Sequence, residues 1–445
     1  MSQPVATRQP SRSSHLSEEI LYGAPLHFFD DPTPDVEQET AVATPLATIV
    51  ELEDGRKQTI DIKEKNGEQV FYVEFDPGDS RDPFNFSKGR KWAMTIVACV
   101  YTFFTAYTLS AFAIGVPSMR EDLGLNATEA ALGLSVYAWG FACAPLILAP
   151  FSEEWGRNAL YLGSSFVHMM FFIAVARARN LTTIIIARII AGAAGSTGST
   201  MVGGSLADIW RTAERGLPMA IFAVMAFLGT GAGAVAMAPV EMNEKLGWRW
   251  IQWISVIIGG TIWLALFLTM KETRSAVLLT RIARDLRNKT GDQRYRARAE
   301  DERPPLKDLI VISLTRPMWL LLSEPLVTSF SLWIGFAWGV LYGLVESIPY
   351  VFQTLYGFNQ LQVGLVFLAM MMGTVIGFIG NLWQDRLYAR YFPTKGPEAR
   401  LYGACAARVI FPVGCFIYAW TSYSFVHWIG PVIGITIVTW GIFII

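Results

Sequence analysis

The sequence predicts an all-α integral membrane protein, a bundle of ten membrane-crossing helices arranged six and then four. Three observations carry that expectation. Of 445 residues, 52% are hydrophobic and only 16% charged, too little charge to cover a water-soluble surface of this size. The apolar residues fall into long runs nearly free of Asp, Glu, Lys and Arg. Basic residues gather in every second gap between those runs.

Residues 1–91 are polar and rich in Pro, Ser, Glu and Asp, and contain no apolar run of signal-peptide length before Trp92. They read as a disordered tail, since such a composition buries too little apolar surface to fold. Within it, 48–75 alternates weakly and admits a short hairpin.

From Trp92 the pattern changes. A bilayer core takes about 20 residues of helix, each rising about 1.5 Å. Segments 92–115, 130–150, 159–176, 181–207, 217–240 and 250–270 meet that length and form a first group, spanning 92–270. Segments 325–345, 361–383, 401–420 and 427–445 form a second, spanning 325–445. In hydrocarbon the backbone must satisfy its own hydrogen bonds, so these runs are helices. The gap 271–324 is a basic linker carrying Arg281, Arg284, Arg287, Lys289, Arg294, Arg296 and Arg298. It reads as a solvated stretch beside anionic lipid, not a nucleic-acid patch, because the net charge of the chain is only −1.

The tail ends in Lys88, Arg90 and Lys91, and the loops after even-numbered segments hold most of the remaining Lys and Arg. Tail and even loops are therefore expected on the cytoplasmic side. Cys99, Cys143, Cys405 and Cys415 all lie in apolar runs without zinc-ligand spacing and read as small buried side chains.

Several motifs carry mechanism. The loop between the second and third segments reads Ala149-Pro150-Phe151-Ser152-Glu153-Glu154-Trp155-Gly156-Arg157-Asn158. Gly156 lets the chain reverse between two closely packed helices. Arg188 lies inside the fourth apolar run, where a guanidinium costs roughly 2.5–3.5 kcal/mol on insertion scales. It must face a polar partner or wet cavity, or else reach out to the surface. Small residues then follow at Gly192, Gly195, Ser199 and Gly203, on one helix face. Ser196 and Thr200 add hydroxyls. The fifth segment holds Gly229-Thr230-Gly231-Ala232-Gly233-Ala234. It matches a dinucleotide fingerprint only in letters, since no strand precedes it.

Together these stretches resemble the major facilitator superfamily, and within it the fungal drug:proton antiporter branch of multidrug and polyamine type. The resemblance covers 82–445. Glu153, Gly156 and Arg157 match the cytoplasmic loop signature Gly-x-x-x-Asp-Arg-x-Gly-Arg-Lys/Arg, while Ala149, Glu154 and Asn158 depart from it. Arg188 to Gly192 resembles Arg-x-x-Gln-Gly, with Ala191 in place of Gln. Gly229 and Gly233 resemble the antiporter signature Gly-x-x-x-Gly-Pro, with Ala234 in place of Pro; ordinary small-residue packing explains the two glycines as well. Asp82-Pro83, Gly247-Trp248-Arg249-Trp250, Lys271-Glu272-Thr273-Arg274 and Glu324-Pro325 add to the likeness.

The resemblance implies two six-helix halves, so two helices are expected beyond those found here, and the chain reads as shortened at its C-terminal end. The acidic loop residue would contact the eleventh helix, leaving Glu153 without its partner. Arg188 would couple protons. Glu346, just past the uncharged core of the seventh segment, is the first proton-carrier candidate and Asp208 the second; an interfacial place at a helix end is the other reading of Glu346. Cavity candidates on the lining helices are Tyr101, Thr105, Tyr107, Ser196, Thr200, Trp333, Trp338 and Tyr342. Aromatic faces and hydroxyls suit bulky amphipathic or planar cationic substrates.

The expected activity is proton-coupled efflux of drugs, toxins or secondary metabolites from a plasma membrane by a monomer, with lipid, protons and a small-molecule substrate as partners. Import of polyamines or other nutrients is a rival, and a shortened, transport-inactive membrane protein is another. No phosphate-binding Gly-Lys-Ser/Thr, HExxH, nucleophile elbow or haem motif occurs, so no enzyme, cofactor, metal or nucleic-acid partner is expected. Asn126 and Asn180 are formal glycosylation acceptors, expected to be unmodified in such short loops.

Overall fold

The computed structural model describes residues 48–51, 57–65, 68–243, 245–302 and 305–444. The tail expectation for 1–47 lies outside the described residues.

Each of the ten apolar segments is helical. The first group comprises α1 (Lys88–Ile114), α3 (Ala127–Glu154), α4 (Arg157–Ala176), α5 (Leu181–Gly195) with α6 (Thr197–Ile209), α7 (Gly216–Glu241) and α8 (Gly247–Thr269), with a short α2 (Val116–Leu123) after α1. The second comprises α12 (Pro325–Tyr356), α13 (Gln360–Val366) with α14 (Leu368–Lys395), α15 (Leu401–Thr421) and α16 (Ile429–Ile444). Among the described residues, nine helical stretches are long and apolar enough to cross a membrane, and Ile429–Ile444 is a shorter apolar helix. The fourth and eighth segments are each two helices, joined at Ser196 and Phe367. Asn126 and Asn180, the two sequons, stand at the N-caps of α3 and α5, where Asn180 accepts from the Thr183 amide at 2.8 Å.

Between 48 and 75 the described residues form the hairpin that this stretch admits, with one strand more. Strands β1 (Thr48–Glu51), β2 (Lys57–Lys65) and β3 (Glu68–Glu74) run antiparallel, and β4 (Tyr295–Arg296) from the linker pairs parallel with β3. Ile60 and Val73 pack with Ala283 and Leu286 of α9 (Ser275–Thr290). Arg298, in α10 (Arg298–Glu302), forks to Asp61 at 2.7 Å and Glu74 at 2.6 Å. A hairpin alone is marginal in water; this one is completed by partners far along the chain. The linker is correspondingly more ordered than expected, and its second half is an apolar helix, α11 (Leu306–Ser323).

Two cores organise the bundle. Tyr101, Phe104, Tyr161, Phe172 and Leu206 lie in the first. Leu341, Phe352, Phe367, Phe411 and Val438 lie in the second, which also takes Ile114, Ala234 and Ala238 from the first group of helices. The halves meet where Gly364 of α13 abuts Ala234 and Ala238 of α7. Cys99 is buried as expected, but Cys143 and Cys405 are exposed and Cys415 half-buried.

Candidate functional site

Arg188 is wholly buried, so the surface-reaching reading is excluded. Its Nε donates to the Gly133 carbonyl at 3.0 Å. The guanidinium lies 4.1 Å from the ring centre of Phe112 and 4.3 Å from that of Tyr137. Aromatic faces hold a desolvated cation by about 2 kcal/mol or more. Nη1 and Nη2 have no hydrogen-bond acceptor among the described residues. The Tyr137 hydroxyl lies 3.3 Å from His168 Nε2 and 3.2 Å from Thr108 Oγ1, so α1, α3 and α4 all orient the ring beneath the cation. Sequence reasoning missed Tyr137 and His168; the signal available was a lone histidine in an otherwise uncharged run.

Gly192 keeps α5 against α3, since a Cβ there would strike the Tyr137 carbonyl. Gly229 and Gly233 do the same for α7 on α1, against the carbonyls of Phe103 and Tyr107. Gly233→Leu is therefore expected to cost about 1–3 kcal/mol through overpacking and to lower the thermal midpoint. Gly203→Ala, where a Cβ meets nothing within 4 Å, should not lower it. Equal midpoints for both variants would refute the close contact.

Several cavity candidates are packed between helices or against other rings. Tyr101, Thr105, Tyr107 and Ser196 are buried. The Tyr101 hydroxyl lies 3.4 Å from Thr197 Oγ1, and Thr105 and Ser196 donate to the carbonyls of Thr102 and Ala193 at 2.8 Å. Gly198 brings α6 close against Tyr101 and Thr105 of α1. Thr200 is exposed and donates to the Ser196 carbonyl at 2.9 Å. Trp338 stacks on Phe227 with ring centres 5.3 Å apart, and Trp333 meets Phe411 edge-on at 6.1 Å. Tyr342 and Glu346 share a cleft of about 250 Å³ with Leu109, Leu134, Ser135, Ala138, Trp139 and Gly343. Glu346 is exposed and sits well inside α12, not at a helix end. Leu134 follows Gly133 in the chain, and Tyr342 packs against the same aromatic cluster that holds Arg188.

A second polar assembly forms where α3 turns into α4. Gly156 has φ +94°, which favours glycine, and a Cβ would strike the Glu272 carboxylate. That carboxylate, nearly fully buried, accepts from the backbone amides of Arg157 (3.0 Å), Asn158 (3.3 Å), Thr273 (3.0 Å) and Arg274 (2.9 Å). It caps the positive end of α4. Arg157 turns inward and pairs with Asp208 through Nε–Oδ2 at 2.6 Å. Glu153 is not left without a partner: Arg274 reaches it at 3.5 Å and Asp208 at 3.9 Å. Asp208 is thus held between two guanidiniums. A cavity of about 390 Å³ lies beside this assembly between Trp155, α9 and α11, and is lined by neither Arg188 nor Glu346.

The pattern of the Major Facilitator Superfamily matches residues 98–445, and the chain belongs to that family. Among curated relatives, the multidrug transporter mdrA of Aspergillus fumigatus is 34% identical over 371 residues, covering 82% of this chain and 60% of its own. The efflux pump radE of Floropilus chiversii is 31% identical over 449 residues, covering 98% of this chain and 83% of its own. The transporter paaT of Penicillium rubens is 32% identical over 81% of this chain and 66% of its own. The chain therefore spans just under two thirds of the length of mdrA and paaT. Each of these relatives is named a transporter or pump, not an enzyme. Among solved structures, the proton:xylose symporter XylE superposes with a TM-score of 0.56 at 13% identity, over 81% of this chain and 80% of that one, which shows the shared fold.

Proposed function

We propose that the chain is a secondary active transporter that exports small amphipathic organic molecules in exchange for protons, from a plasma membrane with its N-terminus cytoplasmic. The observation that carries this reading is the neighbourhood of a fully buried cation, Arg188, and a cleft whose one carboxylate among its lining residues is Glu346. Trp139 and Tyr342 give the cleft aromatic walls, suited to planar or cationic solutes.

Glu346 takes the proton. Protonation cancels the charge that would hold an organic cation, so proton entry and solute release exclude one another at one carboxylate. Arg188 supplies a fixed positive charge behind the cleft, held beside Gly133, the chain neighbour of the lining residue Leu134. The halves rock about the contact of α7 with α13 and α14, opening the cleft to one side and then the other. Export in particular is supported by the names of the fungal relatives and by the Gly229/Gly233 face.

The test is dye flux in inside-out membrane vesicles containing the chain, with and without an inside-acid pH gradient. Accumulation of a planar cationic dye only with the gradient is expected. Equal rates would remove proton coupling. Uptake of polyamines by intact expressing cells would reverse the direction, and no flux of any solute offered would leave a membrane protein that does not transport.

A further inference from the structure

We propose that α11 lies in the membrane interface with its outer face in lipid, so that the linker between the halves is anchored in the bilayer along this helix. This inference does not depend on what the protein transports.

Helix α11 has 18 residues and none of them is buried. Leu306, Leu309, Ile310, Ser313, Leu320 and Leu321 are half-buried at helical spacing and form the face turned to the bundle. Pro317 is exposed on the packed side, and the other apolar side chains are exposed as well: Val311, Ile312, Leu314, Met318, Trp319 and Leu322, the last at 83%. At 100° per residue these six fall within one arc of roughly 160°, interrupted by Thr315 and, in the first helical turn, by Lys307 and Asp308. An apolar face of that width on an exposed helix is not stable against water.

The occupant follows from continuity with the membrane-crossing helices. Ser313 Oγ donates to the Leu146 carbonyl at 2.7 Å. Leu146 lies eight residues before the end of α3 at Glu154, about 12 Å of helix at 1.5 Å per residue, and within an apolar membrane span. The midpoint of α11 is therefore level with hydrocarbon-facing surface. At its C-terminal end only Glu324 separates α11 from Pro325, the first residue of the membrane-crossing α12. The charged side chains sit where such a helix tolerates them, in its first turn and at the border of the packed face, where Arg316 can extend its head toward water.

The test uses nitroxide labels in phosphatidylcholine vesicles. The four native cysteines are replaced by alanine, and single cysteines are placed at Val311, Met318 and Leu322. Leu268 of α8, 72% exposed on a membrane span, serves as the lipid reference, and Asn288 of α9, also exposed, as the water reference. Collision rates with oxygen, which partitions into lipid, and with a water-soluble nickel chelate are compared. The expected result is an oxygen-to-nickel ratio at all three sites close to that at Leu268 and severalfold above that at Asn288. Ratios like that at Asn288 would overturn the proposal, and so would shielding from both probes, which would mean protein covers the face. Should the cysteine-free chain not fold, Trp319→Phe in the native background answers the same question: bromine-tailed lipid should quench a smaller share of the emission than in the unsubstituted chain, and an unchanged share would overturn the proposal.

Discussion

Glu272→Ala is expected to destabilise the first group of helices by about 3–5 kcal/mol, the scale for removing one partner from a buried charged assembly. The carboxylate accepts from four backbone amides, two of which open α4. Alanine leaves these donors in a place water reaches poorly, and each unsatisfied group costs about 1–3 kcal/mol. The favourable charge at the N-terminus of α4 is lost as well, worth up to about 2 kcal/mol in a partly buried site. The guanidiniums of Arg157 and Arg274 keep their pairings with Asp208 and Glu153, so the loss falls on the backbone amides. Glu272→Gln keeps an acceptor oxygen and should fall by roughly half as much. The measurement is the thermal midpoint of the purified protein in detergent, with midpoints in the order unsubstituted, Gln, Ala. An unchanged midpoint for the alanine variant would show that the α3–α4 turn does not depend on this cap.

The helices were legible because lipid imposes a simple rule, and a run without charge announces itself. What the sequence hid were features whose partners are distant. Glu272 follows an apolar run and reads locally as an interfacial acid; its role exists only because the start of α4 folds back to it. Strand β4 is two residues long and acquires meaning only beside Phe71 and Tyr72. Helix α11 escaped notice because Lys307, Asp308 and Arg316 break its apolar count, although they leave one face almost free of charge. Tyr101, Thr105 and Ser196 are cavity candidates because they stand on helices that line the passage in the family the chain resembles. They are instead satisfied between helices that glycine lets approach closely, where threonine and serine return their hydroxyls to the preceding turn. Arg188 stands out in the sequence because a charge in an apolar run is costly wherever it points, inward or toward the surface. Its aromatic cradle was not legible, because Phe112 and Tyr137 come from two other helices.

Arg188 gives the sharper separation of stability from activity. Arg188→Met is expected to leave the thermal midpoint close to that of the unsubstituted chain, while abolishing proton-driven flux. Methionine gives up the bond to the Gly133 carbonyl and the two ring contacts, the latter worth about 2 kcal/mol or more. It also removes a buried charge whose Nη1 and Nη2 have no acceptor among the described residues. Replacing a buried charged group by an apolar one of similar size is often neutral or stabilising, by about 1–4 kcal/mol. The two terms are of similar size, so the net change should lie within about 2 kcal/mol of zero. Arg188→Lys keeps the charge but concentrates it on a strongly hydrated ammonium that cannot lie flat between Phe112 and Tyr137. It should therefore be the less stable variant of the two, with lysine below both methionine and the unsubstituted chain. A positioned charge that acts in coupling predicts this divergence: full stability without proton-dependent dye flux in the methionine variant. If that variant instead unfolds, or keeps its response to the pH gradient, Arg188 is a structural cation and the coupling role assigned to it fails.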